Sequence, residues 1–331
     1  MSSAAIVGQK EGEGPYGKFF DEILNDDKAG CECWEEAEGK LQEMAANKAL
    51  SKSGLEKKDI RYIVAGDLLG QLMASSFGLM KLEIPMFGIY GACSTMGESI
   101  SIASMLVDGG YADNILAITS SHFASAEKQF RFPLGYGSQR KMASTWTVTG
   151  SGAVIISSER MAQKANMSDK NKVHITGITT GKIVDFGVKD SMNMGACMAP
   201  AAGNVIVQNL IDNGRKPEWY DKIITGDLGL VGKDILLDIT RSKGYDIADR
   251  YMDCGIEIYS REQEIQAGGS GCGCSASMLA GYIVKMLEKG TWQRVLFVPT
   301  GALLSPVSFN EGDSVPGIAH AVVFECSGES Q

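Results

Sequence analysis

Among the side chains able to do chemistry, Cys93 stands first, in the stretch Phe87-Gly-Ile-Tyr-Gly-Ala-Cys93-Ser-Thr-Met-Gly-Glu98. Phe87 to Tyr90 is a short apolar, β-prone run and Gly91 permits a sharp turn. Ser94 to Val107 then carries Ile100, Ala103, Met105 and Leu106 at helical spacing. The thiol is therefore expected where a strand turns into a helix N-terminus. Free backbone N–H groups and a positive dipole end lower a thiol pKa there and favour a thiolate. The other reading is a small buried cysteine that fills a tight turn. Asp67 and Asp227 each follow a strand, in Val64-Ala-Gly-Asp67-Leu68 and Ile224-Thr-Gly-Asp227-Leu228. Cys272 heads a helix after Gly268-Gly-Ser-Gly, and His320 comes just inside the last strand.

The elements that must position these groups follow in chain order. Met1 to Asp27 is glycine-rich and acidic and is expected to wrap the surface. Trp34, Ala37, Leu41, Met44, Ala45 and Ala49 mark one face of a helix over 32–51, ended by Gly54. Ile60 to Ala65 is a buried strand, and Ile115 to Thr119 is the next after the Cys93 helix. A long segment, Ser120 to Ser144, holds His122, Arg131, Tyr136 and Arg140. Thr145 to Ser158 reads as two strands joined through Gly150-Ser151-Gly152. Met161 to Lys172 is a polar connection, and Val173 to Thr180 resumes as a strand. Ala201 to Ile211 is a helix closed by Asn213-Gly214, and Ser275 to Leu287 another. Ile223 to Thr225, Val295 to Val298 and Ile318 to Glu325 complete the strands.

Composition bounds the class. With 331 residues, 44% of them apolar, the chain can fill two ordinary α/β domains or one large unit. Its net charge of −9 and lack of any Lys/Arg run argue against nucleic acid as a partner. No run of about 18 apolar residues spans a membrane, and Met1 to Lys10 lacks the features of a signal peptide. The eight cysteines are scattered, as for reduced thiols in a cytosol-like compartment. Two Cys-x-Cys pairs and three histidines do not match a zinc-site spacing, so no metal is expected.

The order strand, loop, strand, elbow, helix, strand, strand occurs twice. Val64-Ala-Gly-Asp67-Leu68 recurs as Ile224-Thr-Gly-Asp227-Leu228, and Gly91-Ala-Cys93 with its helix recurs as Gly271-Cys272-Gly273 with its own. Gly152-Ala-Val-Ile-Ile156 is matched by His320-Ala-Val-Val-Phe324. This predicts two α/β halves, residues 1–165 and 166–331, packed about a pseudo-twofold with both elbow helices at the centre.

A duplicated α/β core with a Gly-x-Cys elbow resembles the thiolase fold, a layered α-β-α-β-α sandwich shared by thiolases and ketoacyl carrier-protein synthases. More closely, Ala65-Gly-Asp-Leu-Leu69, Gly91-Ala-Cys-Ser-Thr95, Gln129-Phe-Arg131, Thr149-Gly-Ser-Gly-Ala153, Gly268-Gly-Ser-Gly-Cys272 and Gly301-Ala-Leu-Leu-Ser-Pro306 resemble the stage V sporulation protein AD family of spore-forming bacteria. The resemblance runs from about Ser2 to Glu325. Members usually begin with about one strand more ahead of the position of Ser2, which bears on the first sheet edge.

The resemblance implies a non-catalytic protein that binds dipicolinic acid (pyridine-2,6-dicarboxylate), free or as its calcium chelate, for uptake into the developing spore. It implies other stage V sporulation membrane proteins as partners, a homodimer, and a place in the cytoplasm or peripherally on the spore inner membrane. Calcium would enter only within the chelated ligand, and no other cofactor is implied. The implied ligand site takes in Cys93, Asp67, Arg131, Asp227, Cys272 and His320. Arg131 is the first choice for a bidentate grip on a carboxylate, ahead of Lys128 and Arg140, with Phe130, Phe132 or Tyr136 against the ring. Asp67 and Asp227 either cap helices or lie near the chelated calcium. His320 is a candidate base or a core histidine; His122 and His174 are structural or on the surface.

Residue chemistry agrees with a binder. A condensing enzyme needs a histidine where this chain has Asp227, and the ketosynthase type needs an asparagine where it has Cys272. A carboxylate repels a developing oxyanion, and loss of one oxyanion donor typically slows a reaction by roughly a hundred- to a thousandfold. The alternatives are an acyl-transferring condensing enzyme and a structural scaffold of a spore membrane complex.

Overall fold

The computed structural model describes residues 2–130, 140–164 and 172–326. A six-stranded sheet contains β1 (Ser2–Val7), β2 (Glu22–Ile23), β3 (Tyr62–Gly66), β4 (Met86–Gly88), β5 (Asn114–Ser121) and β7 (Gly150–Ser157), in the order β2-β1-β7-β5-β3-β4. A five-stranded sheet contains β8 (Val173–Thr179), β9 (Lys222–Thr225), β10 (Tyr251–Asp253), β12 (Arg294–Val298) and β15 (Ala321–Cys326), in the order β10-β9-β12-β15-β8. Two short pairs complete the strands: β6 (Trp146–Thr147) with β11 (Gly269–Ser270), and β13 (Thr300–Ala302) with β14 (Gly317–Ala319). Setting β1, β7, β5, β3 and β4 beside β8, β15, β12, β9 and β10 makes the two orders identical, so the duplication in the sequence is a duplication of topology.

The helices of the layers are α2 (Trp34–Ser53), α3 (Met73–Leu79), α4 (Thr95–Asp108), α5 (Phe123–Phe130), α7 (Met194–Asp212), α8 (Gly229–Ser242), α10 (Cys272–Met278) and α11 (Val284–Glu288). A π-helical turn, Leu279–Ile283, joins the last two. Short helices α1 (Gln9–Gly12), α6 (Glu159–Lys164), α9 (Cys254–Glu257) and α12 (Pro306–Asn310) fill connections.

Strand periodicity builds the layers. Ile115 and Ala117 of β5 point into a central core with Met96, Ile100 and Ala103 of α4, while Leu116 and Ile118 pack under α2. In the second sheet Val295 and Phe297 face the same central core, and Leu296 and Val298 pack under α7 and α8. The result is an α-β-α-β-α sandwich with α4 and α10 in the middle. Ala37, Leu41, Ala45 and Ala49 form the buried stripe of α2, as their spacing predicts, and Gly54 ends that helix at φ +71°.

Four expectations are corrected. Met1 to Asp27 does not simply wrap the surface: Ala4, Ala5, Ile6 and Val7 of β1 are buried between β2 and β7. Gly150 to Gly152 is not a turn but the start of β7; α10 lies directly on it, and a Cβ at Gly152 would meet the Ala276 carbonyl. The helix expected from Ala201 begins at Met194 and takes Pro200 into its interior. That helix, α7, is long and apolar enough to cross a membrane, contrary to the expectation of no such stretch, but two-thirds of its apolar window (67%) is buried inside the protein, as in a core helix. The expected boundary between halves at 165/166 falls outside the described residues.

Because β7 and α10 touch backbone to backbone at Gly152, Gly152→Ala is expected to destabilise the protein by about 1–3 kcal/mol through overpacking. Urea unfolding of wild type and variant reads this; coincident midpoints would refute the close approach.

Candidate functional site

Cys93 sits on a strained elbow. After β4, Ala92 adopts φ +49°, and two hydroxyls brace the turn. Ser94 Oγ donates to the Gly91 carbonyl at 2.7 Å and Thr95 Oγ1 to the Ala92 carbonyl at 2.5 Å. Helix α4 begins at Thr95, so the thiol lies at its N-terminus as expected. From the second half Gly301 packs against the same turn, where an added Cβ would lie 3.0 Å from the Ser94 nitrogen.

The thiol is not activated. Burial pushes its pKa well up, and the neighbouring Asp227 carboxyl raises it further, with Cys272 adding to the effect. A helix terminus contributes only about 0.3–1 kcal/mol at a surface, and here desolvation and a neighbouring carboxyl outweigh it. The expected lowering is thus reversed.

Asp227 leaves β9 and turns towards the elbows. Its Oδ1 accepts from Thr300 Oγ1 at 2.8 Å and its Oδ2 from the Gly271 N–H at 2.9 Å. Burial lifts its pKa to about 7, opposed by those two donors and by the neighbouring Cys93 thiol. Cys272, at the head of α10, donates from Sγ to the Ser120 carbonyl at 2.8 Å and joins Leu68, Cys93 and Ala126 in one apolar cluster. Cys93, Asp227 and Cys272 are thus brought together.

The repeat-related Asp67 does different work. Its oxygens accept from Leu69 N at 2.8 Å, Ser75 N at 2.8 Å and Ser75 Oγ at 2.6 Å, which closes a turn and caps α3. Protein donors thus occupy both oxygens, the capping arrangement rather than one poised for calcium. In the second half that task falls to Asp253 on β10, which accepts from Leu228 N at 2.9 Å and Gly229 N at 3.2 Å at the start of α8. Asp227 is thereby released to face the thiol.

His320 is a buried core residue between β14 and β15. Its Nδ1 accepts from Gly181 N at 3.4 Å, burial lowers its pKa, and it is not among the residues lining the Cys93 cavity. Arg131, Phe132 and Tyr136 lie outside the described residues. Gln129 and Phe130 belong to the last turn of α5 instead of a loop.

The cavity above Cys93 is walled by Leu68, Tyr90, Phe130, Met194 and Leu304, with Glu127 and Thr147 as polar lining. Its free space, about 30 Å³, holds one or two waters. Glu127 belongs to a buried ion pair with Arg140. Sequence reading missed it because α5 is short and small-residue-rich, with no period to mark an inward carboxylate. Behind the cavity floor Glu38 accepts from Ser120 and Ser125, and burial with Asp67 nearby raises its pKa. A glutamate inside the apolar stripe of α2 was the available signal. No cluster of three metal-ligating side chains occurs among the described residues.

Asp227→Asn removes negative charge beside the thiol, so the Cys93 thiolate is expected to form at lower pH; iodoacetamide labelling rates against pH read this, and an unmoved curve would refute the contact. The same carboxyl makes stability pH-dependent. Its folded pKa of about 7 lies above the ordinary 3.8, so the folded state retains a proton that the unfolded chain releases. Its contribution is full below the ordinary value and declines as pH rises from about 4 to 7. Melting curves of Asp227→Asn are expected to show a shallower decline across that window than wild type.

Comparison with known proteins gives both family and fold. The profile of the stage V sporulation protein AD family matches residues 1–325. Stage V sporulation protein AD of Bacillus subtilis (strain 168) is 44% identical over 327 residues, covering 99% of this chain and 94% of that protein. Among solved structures, 3-oxoacyl-[acyl-carrier-protein] synthase III from Aquifex aeolicus VF5 matches with a TM-score of 0.57 at 14% identity, covering 98% of each chain. Acat5 thiolase from Ascaris suum, in complex with coenzyme A, matches with a TM-score of 0.62 at 12% identity, also over 98% of each. At such identities the structural likeness establishes the thiolase-like fold alone. By sequence over nearly its whole length, the chain is a member of the stage V sporulation protein AD family.

Proposed function

We propose that this sporulation protein is a non-catalytic binder of dipicolinic acid, free or as its calcium chelate, that serves uptake of the acid into the developing spore. The reading rests on the buried Asp227 carboxyl, which stands beside the Cys93 thiol and helps to hold its pKa up. A carboxyl at that point opposes both the thiolate and the oxyanion that Claisen chemistry requires. With Cys272 turned to the Ser120 carbonyl, the second elbow offers no side-chain amide to the sulfur. What is left is a mostly apolar recess with a few polar groups, the usual composition of a small-molecule site. A pyridine ring needs more than the present free space, so binding requires side chains of the cavity wall to move.

The chain would act as a homodimer, peripheral to the spore inner membrane, with other stage V sporulation membrane proteins as partners. Support for the dimer comes from β4, a sheet edge whose Met86 and Phe87 are exposed and whose outer backbone groups are open to strand pairing.

Calorimetric titration with dipicolinate tests the function. Saturable heat is expected for wild type and weaker binding for Cys93→Ala. No saturable heat at millimolar ligand would favour a scaffold, and sustained acyl-CoA condensation would overturn the non-catalytic assignment. Light scattering is expected to give the mass of a dimer.

A further inference from the structure

The wall of the Cys93 cavity already holds a carboxylate. Glu127 Oε1 lies 3.3 Å from Arg140 Nη2 and accepts from Thr147 Oγ1 at 3.2 Å. Both charged side chains are almost fully buried, Arg140 at 5% and Glu127 at 2% exposure. The guanidinium is fixed before any ligand arrives. Its Nη1 donates to the Thr145 carbonyl at 2.8 Å, and its centre stands 4.7 Å from the Trp146 ring and 5.3 Å from the Phe123 ring. Those two rings are themselves stacked at 4.1 Å. Glu127 and Thr147 line the cavity, and Arg140 lies just behind them.

We propose that Arg140 and Thr147 form a carboxylate-binding subsite of this cavity, filled in the empty protein by Glu127, and that a small carboxylate ligand binds by taking the place of that side chain. A buried guanidinium needs a negative partner at all times, because an unpaired one is strongly destabilising. Glu127 is a partner that meets that need, and a ligand carboxylate can take its place. The exchange keeps the charge count at Arg140 constant, while the displaced Glu127 swings towards the opening. The subsite selects for an anionic, planar group of carboxylate geometry, which a guanidinium matches with paired N–H donors. For a dicarboxylate it holds one end and leaves the other for the elbow region, and in that respect the inference rests on the dipicolinate reading.

The closing experiment separates the two. Glu127→Ala opens the subsite, so acetate is expected to raise its melting temperature saturably while leaving wild type and the double variant Glu127→Ala/Arg140→Gln unmoved. Glu127→Gln keeps the shape and removes the competing charge; dipicolinate is expected to bind it about tenfold tighter than wild type, a charge-assisted hydrogen bond's worth. Arg140→Gln is expected to bind at least about tenfold more weakly. Rescue by acetate without any dipicolinate binding would uphold the subsite and sink the functional reading. Dipicolinate binding unchanged by Glu127→Gln and Arg140→Gln, or acetate effects equal in all variants, would overturn the subsite alone. Should Glu127→Ala fail to fold, the Glu127→Gln titration decides by itself.

Discussion

The constraint on which this molecule turns is the burial of a thiol and a carboxyl beside one another, one from each half of a duplicated chain. Cys93 comes from the elbow after β4 and Asp227 from the end of β9, and neither is open to solvent. In such a place neither group ionises as it would in water. Desolvation disfavours both anions, and each anion disfavours the other. The thiol therefore stays protonated beside a carboxyl that Thr300 and Gly271 hold in place. The proposed binding function rests on a centre organised in this way.

The duplicated topology explains how the centre diverged without loss of the frame. Related strands keep their order, yet Asp67 and Asp227 end in different surroundings. In the first half the aspartate closes its own turn through Leu69 and Ser75. In the second, Asp253 on the neighbouring strand performs the capping, which frees Asp227 for the interior. The local sequence Gly-Asp-Leu is the same in both; a residue about 25 positions away decides the role.

Much of the fold was legible because its periodicities are strong: the Ala37, Leu41, Ala45 stripe, the alternating faces of β5 and β12, and the recurrence of the Gly-Asp-Leu and elbow motifs. Where reading failed, competing physics explains it. Small residues and acidic glycine-rich flanks hid β1, and glycines needed for close packing at β7 looked like a turn. The helix expected from Ala201 starts instead at Met194, with Pro200 in its interior. The site was partly legible: Cys93, Asp227 and Cys272 do converge, as the duplicated elbows imply. The thiol's electrostatics were not legible, since a helix terminus is visible in sequence whereas the depth of burial is not. His320 carried no local signal of which way its ring faces, and the Glu127–Arg140 pair depends on how α5 docks.

Gly301 of β13 rests on the Gly91 to Ser94 turn, and the Asp227 carboxyl of the second half stands beside the Cys93 thiol. The receptacle is therefore not a property of either repeat by itself. A chain split between the repeats would yield two sheets, each lacking one wall and an apolar face of its own core. Only reassembly of both fragments would recreate the pocket. Duplication here has produced two copies of a framework but one indivisible functional unit.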